Sequence, residues 1–297
     1  RQAANDAIDR ILDKGQFADL LEYSGLINWL SKVERVDLSP VRRKIIDALC
    51  SRLTPSQALD AVKQAGPRVR LACYDMLVER SGDTRALVEQ ALNDSVMEVR
   101  RWGLMRLLRF QPADMATQLR RLLHDKAGRI RVTVLRFLPD ELWGAFEQDA
   151  IPMIWDDSAS VRYSARFYLA KRGIDDFAGR CRQRLEEADT ITPGLIGGVC
   201  ETGTAEEFDL VFRHRNHPKP RVRETLIAGI GKLDSDRAVA PAVEALNDSN
   251  ARVRRAAVGV LIRAGANKAR AGALAVLEGG SRKARMAALA ALSELGR

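Results

Sequence analysis

The chain has 297 residues, 46% of them hydrophobic, and carries 48 Lys and Arg against 39 Asp and Glu, for a net charge of +9 and a pI near 9.7. That length and apolar content suffice for a large core. The longest apolar runs, such as 258–262, fall far short of the roughly 20 residues that cross a bilayer, which excludes a membrane-spanning helix and predicts a soluble chain with no membrane partner.

No charged-then-apolar leader with a small-residue cleavage site opens the sequence, which starts at Arg1. Over 1–38, Ala7, Ile8, Ile11 and Leu12 make a helical stripe ended by Gly15, and residues 17–30 make another; together they predict a capping hairpin or the remnant of earlier repeats. From 39 to 297 one phrase recurs, a β-branched residue followed by Arg at the opening of an apolar helix. It stands at Val41-Arg42, Val69-Arg70, Val99-Arg100, Ile130-Arg131, Val161-Arg162, Val222-Arg223 and Val253-Arg254, and weakened at Ala284-Arg285. The separations are 28, 30, 31, 31, 61, 31 and 31, so the 61 hides one degenerate unit near Ile191-Thr192, where Pro193 and Gly194 replace the usual opening, and nine units result.

Residues four and eight beyond the β-branched position are nearly always apolar, as in Ile45 and Leu49, Cys73 and Leu77, Val134 and Leu138, Leu226 and Ile230, and Ala257 and Leu261. That spacing lays one stripe along an α-helix. A shorter amphipathic segment precedes each such helix, for example 85–92, 115–123, 238–246 and 269–277, so each unit is a hairpin with a first and a second helix. Turn residues follow the second helices at 81–83, 172–173, 233–235 and 264–266. Strand alternation is nearly absent. The expected fold is therefore all-α, a right-handed α-solenoid of about nine helix pairs forming a single elongated domain over 39–297. The sequence ends at Arg297 one turn after a repeat helix and without a distinctly polar cap, so both ends are expected to continue into a longer polypeptide or to be sealed by a partner.

The join inside each unit carries Asp and Ser, as in Leu92-Asn93-Asp94-Ser95, Asp156-Asp157-Ser158 and Leu246-Asn247-Asp248-Ser249, whose oxygens can accept from the open N–H groups of the next helix. The arginine that follows sits in a first helical turn, where the macrodipole disfavours a cation, so a carboxylate or carbonyl must compensate. The expectation is a structural ladder in which Arg100, Arg131, Arg162 and Arg254 pair with loop aspartates such as Asp94, Asp125, Asp156 and Asp248 of their own or neighbouring units.

The phrase Leu-x-Asp-x-x-x-x-Val-Arg-x-x-Ala-x-x-x-Leu, best kept at 246–261 and 92–107, resembles the HEAT-like repeats of phycobilisome lyases and covers about 36–297. The resemblance implies a repeat solenoid and leaves the role open, since such units serve bilin lyase subunits, assembly scaffolds and regulatory subunits alike.

No nucleophile elbow, P-loop, dinucleotide fingerprint or HExxH occurs in the sequence, so neither an enzyme activity nor a cofactor is expected. His214 and His217 lie in a cationic loop without an acidic or cysteine pair, and no metal is expected there. His124, before Asp125 at a helix end, is expected to be structural. Cys50, Cys73, Cys181 and Cys200 are scattered in apolar contexts, which predicts reduced thiols and a cytoplasmic setting. The cations comprise 38 Arg and 10 Lys, a bias that suits phosphate or carboxylate recognition and also follows from a genome rich in arginine codons.

Two stretches depart from the repeat. Between 101 and 172 lie Trp102, Trp143 and Trp155 with several Phe and Tyr, interleaved with arginines. If second helices line a concave wall, the positions two and six beyond the β-branched residue face it, namely Arg101, Met105, Val132, Arg136, Tyr163 and Phe167; all but Val132, with Arg166 beside them, are the candidate binding residues. The other stretch, 189–203, holds four glycines, and suits either a flex point or a close backbone approach. The leading expectation is a non-catalytic scaffold or adaptor that binds a protein partner along the groove. The rivals are a nucleic-acid binder using the same basic, aromatic wall and a bilin lyase-like subunit.

Overall fold

The computed structural model describes residues 66–80 and 84–296, together with Thr54, Ala58 and Leu59. The expected hairpin over 1–38, the Val41-Arg42 phrase, Cys50 and the turn at 81–83 lie outside the described residues. Within them the chain is helical without a strand, and it divides into two compact units, 1–118 and 119–297. The described helices of the first unit are α1 (Pro67–Arg80), α2 (Thr84–Leu92) and α3 (Met97–Phe110); the border falls inside α4 (Met115–Leu123). The second unit continues with α5 (Gly128–Phe137), α6 (Trp143–Ala150), α7 (Ala159–Ala170), α8 (Phe177–Glu186), α9 (Pro193–Thr202), α10 (Phe208–Phe212), α11 (Pro220–Leu233), α12 (Val239–Ala245), α13 (Ala251–Ala264), α14 (Ala266–Gly279) and α15 (Arg282–Leu295). A 3₁₀ turn over Ile151–Trp155 extends α6. Pro152, which can donate no helical hydrogen bond, opens that turn.

In the second unit the second helices pack in sequence, α5 on α7, α7 on α9, α9 on α11, α11 on α13 and α13 on α15, while first helices lie against them, as α8 on α9, α12 on α13 and α14 on α15. In the first unit α1, α2 and α3 pack on one another. The register is constant. The third residue of each second helix is buried and apolar: Val69, Val99, Ile130, Val161, Leu195, Val222, Val253 and Ala284. Four residues on come Cys73, Val134, Ala165, Val199, Leu226, Ala257 and Ala288, all buried, because positions four apart share one face of a helix. Gly103 takes this place in α3, where a Cβ would lie 3.0 Å from the Leu92 backbone nitrogen and 3.2 Å from the Ala91 Cβ, so α2 and α3 meet backbone to backbone. Each buried Leu, Ile or Val in the stripe contributes about 1.5–3 kcal/mol.

This register corrects one detail of the sequence reading. The degenerate unit keys on Leu195-Ile196 rather than on Ile191-Thr192, one helical turn later. Thr192 is instead the N-cap of α9, its hydroxyl accepting from the Leu195 N–H at 3.2 Å, with Pro193 at the first helical position, where its missing N–H costs nothing. The arginine slot is therefore occupied by Ile196, which is fully buried.

Candidate protein-interaction surface

The loops between the two helices of a unit are built by one device. A carboxylate oxygen of the loop aspartate accepts the N–H two residues on, for Asp94, Asp125, Asp156 and Asp248 at 2.7, 2.7, 2.7 and 2.8 Å. The second-helix arginine folds back to donate to the carbonyl six residues before it: Arg100 to Asp94 at 2.9 Å, Arg131 to Asp125 at 2.5 Å, Arg162 to Asp156 at 2.7 Å and Arg254 to Asp248 at 2.7 Å. Arg223 does the same to the His217 carbonyl at 2.8 Å. In that loop His217 stands where the others have Asp, and its Nδ1 accepts the Lys219 N–H at 3.1 Å. The role of His217 is thus to shape the loop.

The guanidinium groups also reach forward to the next loop. Arg70 bonds Asp94 at 2.9 Å, Arg131 bonds Asp156 at 2.6 Å, and Arg223 grips Asp248 with Nε and Nη2 at 2.7 and 2.9 Å. Arg70 and Arg223 are members that the sequence reading left out of its ladder. Arg162, only 4% exposed, has a different carboxylate, Glu201 on α9, held by Nε at 3.0 Å and Nη2 at 2.5 Å. Arg166 adds a bond to the same Glu201 at 2.9 Å. Burial works to raise the Glu201 carboxyl, but its hydrogen bonds and charge contacts with Arg162 and Arg166 outweigh that and hold it below the ordinary carboxylate range. The Asp248 carboxyl is likewise lowered, by its hydrogen bond to Arg223 against the opposing effect of burial.

Close approach explains the glycines of α9. A Cβ at Gly194 would stand 2.1 Å from the Trp155 carbonyl oxygen, and one at Gly197 would stand 2.7 Å from the Arg162 guanidinium. The helix is buried over residues 194–200 and leans on the 3₁₀ turn, so this stretch is a close contact within the chain. Cys181 and Cys200 pack around it as free buried thiols, with burial pushing Cys200 up to about 12.

The aromatic stretch divides into two sets. Trp143 and Phe146 are core, and Trp102 donates its Nε1–H to Asp75 at 2.8 Å beneath Arg106, which binds the same carboxylate oxygen at 2.8 Å. Arg172 lies 3.9 Å over the Trp143 ring and bonds Asp140 at 2.6 Å. The second set faces outward. In the first unit Arg101 is exposed and Met105 is 40% exposed. In the second, Arg136 is exposed with its guanidinium 5.3 Å from the Phe137 ring centre, while Tyr163 and Phe167 on α7 are 66% and 43% exposed, near-parallel with ring centres 6.4 Å apart.

Tyr163, Arg166 and Phe167 line one groove of about 520 Å³, together with Asp175, Asp176 and Glu201. Arg166, expected from the sequence among the binding residues, is tied to Glu201 at the groove wall and does not project freely. Asp75 and Glu201 were the residues missed from sequence. Glu201 had a signal: the unit after Arg162 lacks the loop aspartate that the other arginines reach.

Among the described residues no group of three or more His, Cys, Asp and Glu could hold a metal ion, and no helix is long and apolar enough to cross a membrane. No curated protein matches the chain. Residues 210–295 match the family model for HEAT repeats. The same register runs through the helix pairs before that segment, so the likeness to HEAT repeats extends along the described helices.

Proposed function

We propose that the protein is a non-catalytic scaffold or adaptor that binds a protein partner on its outward second-helix positions, centred on Tyr163 and Phe167. The observation that carries this reading is the pair itself. Two large rings, 66% and 43% exposed, sit over a groove, whereas Trp143 and Phe146 of the same stretch are buried in the core. Exposed aromatics beside anchored charges are the residues that dominate protein interfaces once desolvated. HEAT repeats commonly mediate such contacts, and the exposed Arg136 of the same unit would add to the surface. The free, buried thiols of Cys181 and Cys200 support a cytoplasmic setting.

The test places a photo-crosslinking residue at Arg136 or Phe137 and identifies the protein captured, followed by direct binding to that purified protein. Tyr163→Ala with Phe167→Ala is expected to weaken binding at least tenfold with little change in thermal stability, since both side chains are exposed. Binding indifferent to the double substitution would remove this surface from consideration.

A further inference from the structure

The loop leading into α11 reads Arg213-His214-Arg215-Asn216-His217-Pro218-Lys219-Pro220-Arg221, four permanent cations and two histidines with no carboxylate. Arg213, Arg215, Lys219 and Arg221 are all exposed. Three carboxylates on neighbouring elements are already engaged by other arginines, Glu207 by Arg182, Asp209 by Arg237 at 2.5 Å and Asp248 by Arg223, while Glu244 lines a pocket with Arg215 without pairing to it. The first two arginines of the loop make only weak local contacts, Arg213 to the His214 ring at 3.3 Å and Arg215 over Phe212 at 4.9 Å. The N-cap of α11 is Lys219, whose side chain caps nothing, so the positive end of the helix dipole adds to the same edge. Arg221 and Arg252 border one cleft, in which Glu224 is the single carboxylate not already hydrogen-bonded, and this carries positive charge on to the next helix.

We propose that this loop edge is a contact surface for the phosphate backbone of double-stranded nucleic acid, independent of base sequence. A strand of duplex presents one charge about every 3.4 Å of its axis, so cations packed into nine consecutive residues all find partners without a matched acidic cluster. Arginine pairs with phosphate bidentately. The rings at this edge, Phe212 beneath Arg215 together with His214 and His217, are all half-buried, and the lack of a fully open aromatic face favours a duplex over a single strand. His214 is held below its ordinary range by burial and by the charges of Arg213 and His217, in keeping with positive crowding that an anion would relieve. The proposal uses residues separate from the Tyr163 groove and stands or falls without it.

The experiment is fluorescence anisotropy of the whole chain with labelled 30-base-pair DNA and RNA duplexes between about 50 and 300 mM KCl, a range over which several phosphate contacts change affinity strongly. Binding to either duplex, weakening linearly in log salt, is expected, and the two arms tell which backbone is preferred. The triple variant Arg213→Ser, Arg215→Ser, Lys219→Ser should bind at least tenfold more weakly at 100 mM KCl, with a salt slope shallower by about 2–3, at roughly 0.9 per phosphate contact. Its melting temperature should match the parent, and Lys219→Ser alone, whose side chain holds nothing, should give a smaller loss in the same direction. Tyr163→Ala with Phe167→Ala should leave duplex binding intact. Absence of salt-sensitive binding, or variants that bind as the parent does, would overturn the proposal. So would displacement of the duplex by polyglutamate at equal charge as readily as by unlabelled duplex, which would make the edge a site for acidic protein.

Discussion

In the repeats built on α11 and α13, Arg223 grips Asp248 of the following loop and Arg254 returns to the Asp248 carbonyl, so adjacent units are joined by the same few residues. At α9 the arginine slot holds Ile196, the next loop has His217 in place of aspartate, and the preceding Arg162 turns to Glu201 on the helix itself. The losses are matched. Where no arginine reaches forward, no aspartate waits; where an arginine lacks its aspartate, a glutamate replaces it and a glycine opposite makes room. A buried guanidinium left without a carboxylate would be costly, so the fault is compensated within one repeat of its origin.

The largest way to break that comparison is Gly194→Val, whose side chain would be driven into the Trp155 carbonyl. We expect a loss of about 3 kcal/mol or more, or failure to fold cooperatively, in urea unfolding. Glu201→Gln should rank next, at about 3 kcal/mol, because it strips the carboxylate from the buried Arg162 and from Arg166 together. The same substitution sharpens the acid limb. The folded-state pKa of Glu201 lies below its unfolded value of about 4.3, so its stabilisation is fully present above that pH and is lost as pH falls through the folded value. Between about pH 5 and 3 the parent should therefore lose stability more steeply than Glu201→Gln in denaturant titrations. Asp248→Asn removes charge from one regular rung and should cost roughly 1.5–3 kcal/mol, less than its counterpart in the faulty unit. At the small end, Gly259→Ala in α13 meets only the Arg263 guanidinium at 3.5 Å and should stabilise by about 0.5–1 kcal/mol in thermal melts. A glycine in the regular unit is thus expendable, whereas one in α9 is required.

What the amino-acid order determined by itself was whatever depends on local periodicity. The stripe of Val69, Val99, Ile130, Val161, Val222 and Val253 follows from helical spacing; Asp94 and Asp248, expected as caps, instead accept from the N–H of the N-cap residues Val96 and Asn250 and so shape the loop before the helix. The outward register of Tyr163 and Phe167 was legible from the same spacing. Tertiary structure decided what depends on distance across units: that Arg166 is tied to Glu201, that Glu201 lies 39 positions from Arg162 yet bonds it twice, and that α9 keys on Leu195. The unit before α9 is longer than the repeat and the unit after it shorter, so counting along the chain misplaced the helix by one turn. Only the close seating of Gly194 on Trp155 and of Gly197 on Arg162 brings it back into the stack, because packing measures backbone separation and the sequence does not record it.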